Sequence, residues 1–359
     1  MKKNLMTKLL LSVMALALVF GLSACGEKKA SEGADKKDAQ QEQAKDGEEG
    51  KEKEAEKELE KVSIVLDWYP NAIHCFLYNA IDKGYFAEEG IELEILFPAG
   101  TTDGISMPAS GNADFGVFYM RQLIKARADE NVPVKSIGAV LQEPVNIIMA
   151  LKDKNIKSPK DLEGKKVGYA GMDISKQMVI EAVKADGADP NKIDFVDVGF
   201  ELMSAMTTDQ VDATIDGLEN HELVLMQKQG LEIDYFSPNK YSVPEPYEMV
   251  IIASEDTLSK KPEMVAGFKR AIAKGFEDMK NDKAGSLDIL FKYQNAENFP
   301  LDREVEEKSL DILLEKMEKD GAKFLDQKPE AYAENIKWMK EVGFLKNDID
   351  PESLIYKAE

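Results

Sequence analysis

The chain has 359 residues, with 67 Asp or Glu against 46 Lys or Arg and a formal net charge of −21. A surface this acidic disfavours nucleic acid and anionic membrane surfaces as partners. Only two cysteines and two histidines occur; His74 and His221 have no Cys or His partner at ligand spacing, so no metal site is expected, and with Cys25 in the N-terminal segment described next, Cys75 is left alone without an internal disulfide.

Lys2 and Lys3 open the chain and an apolar run from Leu9 to Leu22 follows, ending in Leu22-Ser23-Ala24-Cys25-Gly26. A basic start, an apolar stretch and small residues before a cleavage point read as a secretory signal over residues 1–24. The run is shorter than the roughly 18–20 residues that span a bilayer. Leu-Ser-Ala-Cys resembles a bacterial lipobox, which implies a lipid on Cys25 and a place on the extracytoplasmic face of the bacterial cell membrane. Residues 25–61 are rich in Lys, Glu, Asp, Ala and Gln, with Leu59 the only large apolar side chain. Such a segment buries too little to offset the entropy of ordering, so a solvated tether is expected.

From about Val62 the composition becomes that of a folded chain, with enough length for two lobes with separate cores. Val62 to Leu66 alternates as a strand, Pro70-Asn71 breaks it, and a helix is predicted from about Ile73 to Lys83. Ile91 to Leu96 and Ala113 to Val117 read as strands, Met120 to Ala128 as a helix and Val134 to Val140 as a strand. A second set begins near Pro159, with strands at Val167, Ile193 to Val198 and Val211 to Ile215 and a helix from Ile174 to Asp186. Helices dominate from Lys261 onward. Strands alternating with helices define an α/β protein with a parallel-rich sheet. The apolar stretches Asn146–Leu151 and Glu248–Ala253 bracket the second set and are expected to cross between lobes. Residues 62–150 with 250–359 then form a discontinuous first lobe, residues 151–249 an inserted second lobe, and the ligand sits between them at the strand ends.

Five segments carry a resemblance: Asp67-Trp68-Tyr69-Pro70-Asn71, Lys83-Gly84-Tyr85-Phe86, Gly111-Asn112-Ala113-Asp114-Phe115-Gly116, Leu162-Glu163-Gly164-Lys165-Lys166-Val167-Gly168 and Val211-Asp212-Ala213. Their order and spacing resemble the periplasmic-type binding proteins for sulfonates, nitrate and thiamine pyrimidines, over about Lys61 to Lys280. The resemblance implies a periplasmic-binding-protein type II fold of two lobes joined by two crossover strands. It further implies reversible capture of a small solute for an ABC permease, without catalysis and without a cofactor. Asp-Trp-Tyr-Pro-Asn-x-x-His, with Tyr78 after it, is most similar to the thiamine pyrimidine-precursor binders and points to an aminopyrimidine. Another heteroaromatic such as a flavin, or a sulfonate or nitrate, stays open as the ligand. The eukaryotic pyrimidine synthase shares the fold and consumes a histidine at the place matching His74, supported by a cysteine-rich iron site. Residues 241–252 here contain no cysteine.

The candidate ligand residues follow from these positions. Trp68, just past the first strand, could stack on a flat ring. Asn71 could present a donor and an acceptor to an aminopyrimidine edge, or cap a turn after Pro70. His74 is either a ligand donor or a packed helix residue. Glu219 and Glu222, after the Gly217 break, could bridge ring nitrogen and exocyclic amine, or form a solvated helix face. Tyr119 and Gln142 follow their strands into the cleft. Arg121 is the one obvious base among the cleft loops. The surface shows no oligomer seam, and a monomer is expected.

Overall fold

The computed structural model describes residues 58–245, 247–297 and 300–357; the expected signal, Cys25 and the tether up to residue 57 lie outside the described residues. The strands are β1 Glu60–Val65, β2 Ile91–Leu96, β3 Phe115–Tyr119, β4 Val134–Ala139, β5 Asn146–Leu151, β6 Lys166–Tyr169, β7 Asp194–Asp197, β8 Ala213–Leu218, β9 Ile233–Phe236 and β10 Met249–Ser254. Between them run α1 Cys75–Asp82, α2 Tyr85–Glu88, α3 Asp103–Ser110, α4 Met120–Asp129, α5 Asp173–Ala185, α6 Leu202–Thr207 and α7 Glu222–Lys228. After β10 come α8 Glu255–Lys260, α9 Pro262–Asn281, α10 Lys283–Tyr293, α11 Arg303–Met317 and α12 Pro329–Glu341. No helix among the described residues is long and apolar enough to cross a membrane.

The strands form two five-stranded sheets, ordered β2-β1-β3-β10-β4 and β7-β6-β8-β5-β9. In each, parallel strands are joined by one antiparallel strand that enters from the other sheet: β10 pairs antiparallel with β3 and β4, and β5 with β8 and β9. The chain therefore passes between sheets twice, over residues 140–145 and 237–248. The ladder also moves two sequence-based boundaries. β5 pairs wholly within the second sheet, so the first segment of lobe one ends near residue 145 rather than 150. Glu60 and Lys61, assigned to the tether, are strand residues opposite Ile91 and Glu92.

β10 is buried along its whole length, as its unbroken apolar run requires of a strand covered on both faces. Met249, Ile251 and Ala253 face the core that holds α1, α9 and α10, while Val250 and Ile252 face the core of α4 and α12. This two-residue alternation puts one sheet between two helical layers. α9 carries Val265, Phe268, Ile272, Phe276 and Met279 on its buried face, at helical spacing. It crosses α1 so closely that a Cβ on Gly275 would lie 2.1 Å from the Phe76 carbonyl oxygen.

The helix predicted from Ile73 starts as a 3-10 turn, Ala72–His74, before α1 begins at Cys75. Its N-cap is Asn71, whose Oδ1 accepts the Ile73 N–H at 3.0 Å. That turn determines where the residues after β1 can point.

Candidate functional site

β1 delivers the segment Asp67–Asn71 to the carboxyl end of the first sheet, and the side chains there divide by role. Trp68 faces the second lobe, where its ring meets Phe200 edge-on at a centroid distance of 4.5 Å. Tyr69 meets the same Phe200 ring at 5.2 Å. Phe200 follows β7, so three aromatic rings bring the lobes together at one edge of the cleft. The Gln122 amide lies 3.0 Å from Met172 Sδ across the same gap. The lobes are closed on each other in this structure.

The cleft they enclose is lined from the first lobe by Trp68, Tyr119, Arg121, Gln122 and Glu248. The second lobe contributes Asn146, Ser175 and Asp216, with Met172, Ile174 and Met178 as an apolar wall at the start of α5. Aromatic and thioether groups on the walls with a few convergent polar groups suit a small, flat, largely apolar ligand.

Two of the polar groups, Glu248 and Asp216, are carboxylates. Glu248 directs Oε2 to the backbone N–H groups of Val145 and Asn146, the latter at 3.0 Å. Its Oε1 has no hydrogen bond to protein among the described residues. Burial pushes the Glu248 carboxyl above its ordinary range, opposed by those two N–H groups and by the charge of Arg121. Asp216 ends three hydrogen bonds: from Ala170 N–H at 2.9 Å, Ser175 Oγ at 2.6 Å and Asn146 Nδ2 at 3.1 Å. These bonds hold it in a left-handed backbone conformation, φ 76°, that a non-glycine residue adopts only when its surroundings impose it. Burial raises its pKa as well, against the pull of the same donors. Arg121 is buried beside this pair; its guanidinium lies over the Trp338 ring and donates to the Pro244 carbonyl, and its Nε–H has no partner among the described residues. Burial lowers its pKa to about 10, with Glu248 and Glu334 opposing the fall.

Of the seven side chains proposed from sequence, Trp68 and Tyr119 line this cleft. Asn71 is buried under the turn it caps, its Nδ2 donating to the Tyr69 carbonyl at 3.1 Å. His74 is fully buried between the Asn71 N–H at 3.3 Å and Asp67 Oδ1 at 3.1 Å. Gln142 donates to the carbonyls of Lys323 and Asp326, outside the cleft. Glu219 pairs with Lys316 at 2.5 Å. Glu222 is buried, accepting the Leu218 N–H at 2.9 Å and facing His221 Nδ1 at 3.1 Å. His221 Nε2 lies 3.3 Å from Glu306 on α11, so one imidazole joins the second lobe to the first behind the cleft. Glu306 in turn accepts the Ala72 N–H at 2.8 Å, in the turn after Trp68.

Glu248, Asp216 and Asn146, which line the cleft, and Phe200, which meets Trp68 across it, were not among the side chains proposed from sequence. Glu248 had a visible signal, a lone acid directly before an apolar crossover strand. Asp216 had a weaker one, an acid at the carboxyl end of a strand. Among the described residues no three His, Cys, Asp or Glu side chains gather as a metal site. Both His74 ring nitrogens are engaged by protein, so the donor set here does not fit an iron-served histidine.

Two α/β lobes, each completed by a strand from the other side of a hinge and closed on a cleft at their strand ends, define a binding protein of the periplasmic type. The chain belongs to the NMT1/THI5-like family, which it matches over residues 71–285, more than half of its length. It is 40% identical over 294 residues to the formylaminopyrimidine-binding protein of Halalkalibacterium halodurans, covering 82% of this chain and 89% of that one. It is 32% identical over 228 residues to the 4-amino-5-hydroxymethyl-2-methylpyrimidine phosphate synthase of Legionella pneumophila, covering 60% and 68%. The fold is similar to that of the alkanesulfonate-binding protein SsuA of Xanthomonas axonopodis bound to MOPS, with TM-score 0.64, 12% identity and coverage of 82% and 98%.

Proposed function

We propose that the chain is the extracytoplasmic solute-binding component of an ABC importer and that it reversibly binds a thiamine-related aminopyrimidine in its unphosphorylated form. The observation that carries the ligand is the free Glu248 oxygen in an aromatic-walled cleft. It asks for an N–H donor on a flat ring, which an aminopyrimidine supplies. The likeness to a formylaminopyrimidine-binding protein supports the same choice. Charge supports the unphosphorylated form: a phosphate, sulfonate or nitrate entering beside Arg121 would also meet Glu248 and Asp216. Desolvating an anion against two carboxylates costs more than one buried guanidinium returns.

Binding without turnover is favoured over synthase chemistry because His74 is withdrawn behind Asp67. Closure of Phe200 onto Trp68 supplies the capture step, and reopening the release to a permease. A lipid on Cys25, a tether that ends before Glu60 and a monomeric state complete the proposal. A thermal-shift panel of aminopyrimidines, flavins, sulfonates and nitrate tests it, since a ligand of the folded state raises the midpoint. Shifts with aminopyrimidines are expected; shifts with anions or flavins alone would replace the ligand.

A further inference from the structure

The hydroxyl of Tyr119, a residue of the cleft lining, has a fixed hydrogen-bond polarity: Asp67 takes its proton, and His74 holds Asp67 in place. The chain of contacts begins at a backbone amide, which can only donate. Asn71 N–H points at His74 Nδ1 at 3.3 Å, so Nδ1 bears a lone pair and the ring proton sits on Nε2. Nε2–H then donates to Asp67 Oδ1 at 3.1 Å. The second Asp67 oxygen, Oδ2, lies 3.0 Å from Tyr119 Oη and accepts its proton. Asp67 and His74 are both buried, so no solvent competes for these bonds. Burial, with Asp67, Glu248 and Asp216 around it, raises the Tyr119 phenol well above its ordinary pKa, and the hydroxyl keeps the proton it donates.

We propose that Tyr119 is a specificity-determining residue that accepts but cannot donate a hydrogen bond in the cleft, and that His74 is the positioning residue that holds Asp67 to receive its proton. The inference rests on the aminopyrimidine reading and deepens it. A tyrosine hydroxyl ordinarily serves a donor or an acceptor on a ligand equally. With its proton committed to Asp67, it offers only a lone pair, as Glu248 Oε1 does. A ring carrying an amine satisfies such an acceptor. A ring carrying a carbonyl at the same place sets two acceptors face to face and leaves both unpaired.

The test is calorimetric titration of the full chain, as wild type, Tyr119→Phe, His74→Gln and His74→Leu, with an aminopyrimidine and with its oxo counterpart. Wild type is expected to prefer the amine by about a hundredfold. Tyr119→Phe should cut that preference about tenfold, by weakening the amine and relieving the oxo ring. His74→Gln, whose amide can still donate to Asp67, should keep the preference, and His74→Leu should reduce it by no more than Tyr119→Phe does. An unchanged preference in Tyr119→Phe would overturn the proposal, with the aminopyrimidine site itself left standing. The polarity is also open to measurement without ligand, because the chain has only two histidines. In a spectrum labelled with ¹⁵N at histidine, His74 is expected as the Nε2–H tautomer; an Nδ1–H signal would overturn the proposal whether or not any pyrimidine binds.

Discussion

Glu248 accepts the Asn146 backbone N–H at 3.0 Å, and this bond ties together the two segments on which the lobes turn. Both residues line the cleft, so the group that holds the hinge segments also faces the cleft. Oε2 serves the hinge, and Oε1 has no hydrogen bond to protein among the described residues. A ligand donor bound to Oε1 therefore acts directly on the point about which closure occurs.

Glu248→Gln separates these two roles. The amide oxygen can keep the bonds to Val145 and Asn146, while the amide nitrogen turns an acceptor into a donor toward the cleft. Aminopyrimidine affinity should fall by about tenfold or more. The ligand-free protein should unfold at an equal or higher temperature, because burial penalises the charged carboxylate that is removed. Calorimetry and thermal unfolding of the same preparation check both halves.

Trp68 and Phe200 make the aromatic contact that closes the cleft, 4.5 Å apart. Trp68→Ala should weaken ligand binding by about ten- to a hundredfold, losing both stacking area and closure. Phe200→Ala removes only the closure contact and should chiefly speed dissociation. Stopped-flow release rates distinguish the two.

His221 sits between Glu222 and Glu306, and the two carboxylates overcome the effect of burial to raise its pKa from 6.5 to about 10. A group held protonated by the fold adds stability in full below its unfolded pKa and loses it as pH rises through the folded one. The contribution should therefore be complete below about pH 6.5 and gone above about pH 10. Urea unfolding should show wild type losing on the order of 4 kcal/mol over that window relative to His221→Gln.

Cys75 is buried against the Ser286 carbonyl, and burial pushes its thiol far above the usual range, with Glu306 adding to the rise. A thiol without thiolate character and without access is inert. Labelling of Cys75 by a disulfide reagent should proceed only as the protein unfolds, and ligand should slow it further. Mass spectrometry of the modified peptide follows this directly.

The fold was largely readable because strands with one apolar face or a continuous apolar run have few alternatives. β2, β4 and β10 fall where alternation and burial put them. The exception was the lobe boundary: Asn146–Leu151 is apolar whichever sheet it joins, and only its pairing with β8 and β9 assigns it. Of the seven side chains proposed, two line the cleft. Trp68 and Tyr119 stand past strand ends, where position alone brings them to the cleft. Asn71 and His74 lie within six residues of Trp68 but turn inward, because the 3-10 turn they build consumes their polar atoms locally. Glu219 and Glu222 look like cleft carboxylates until Lys316 and His221 appear opposite them, and those partners are remote in sequence or engaged through α11.

Titration of the protein with formylaminopyrimidine and, separately, with 4-amino-5-hydroxymethyl-2-methylpyrimidine phosphate tests the central claim most directly. A cleft that joins aromatic walls to two buried carboxylates and one arginine should bind one formylaminopyrimidine per chain. It should bind the phosphate at least about a hundredfold more weakly. Equal or tighter binding of the phosphate, or no binding of either pyrimidine, would contradict the account.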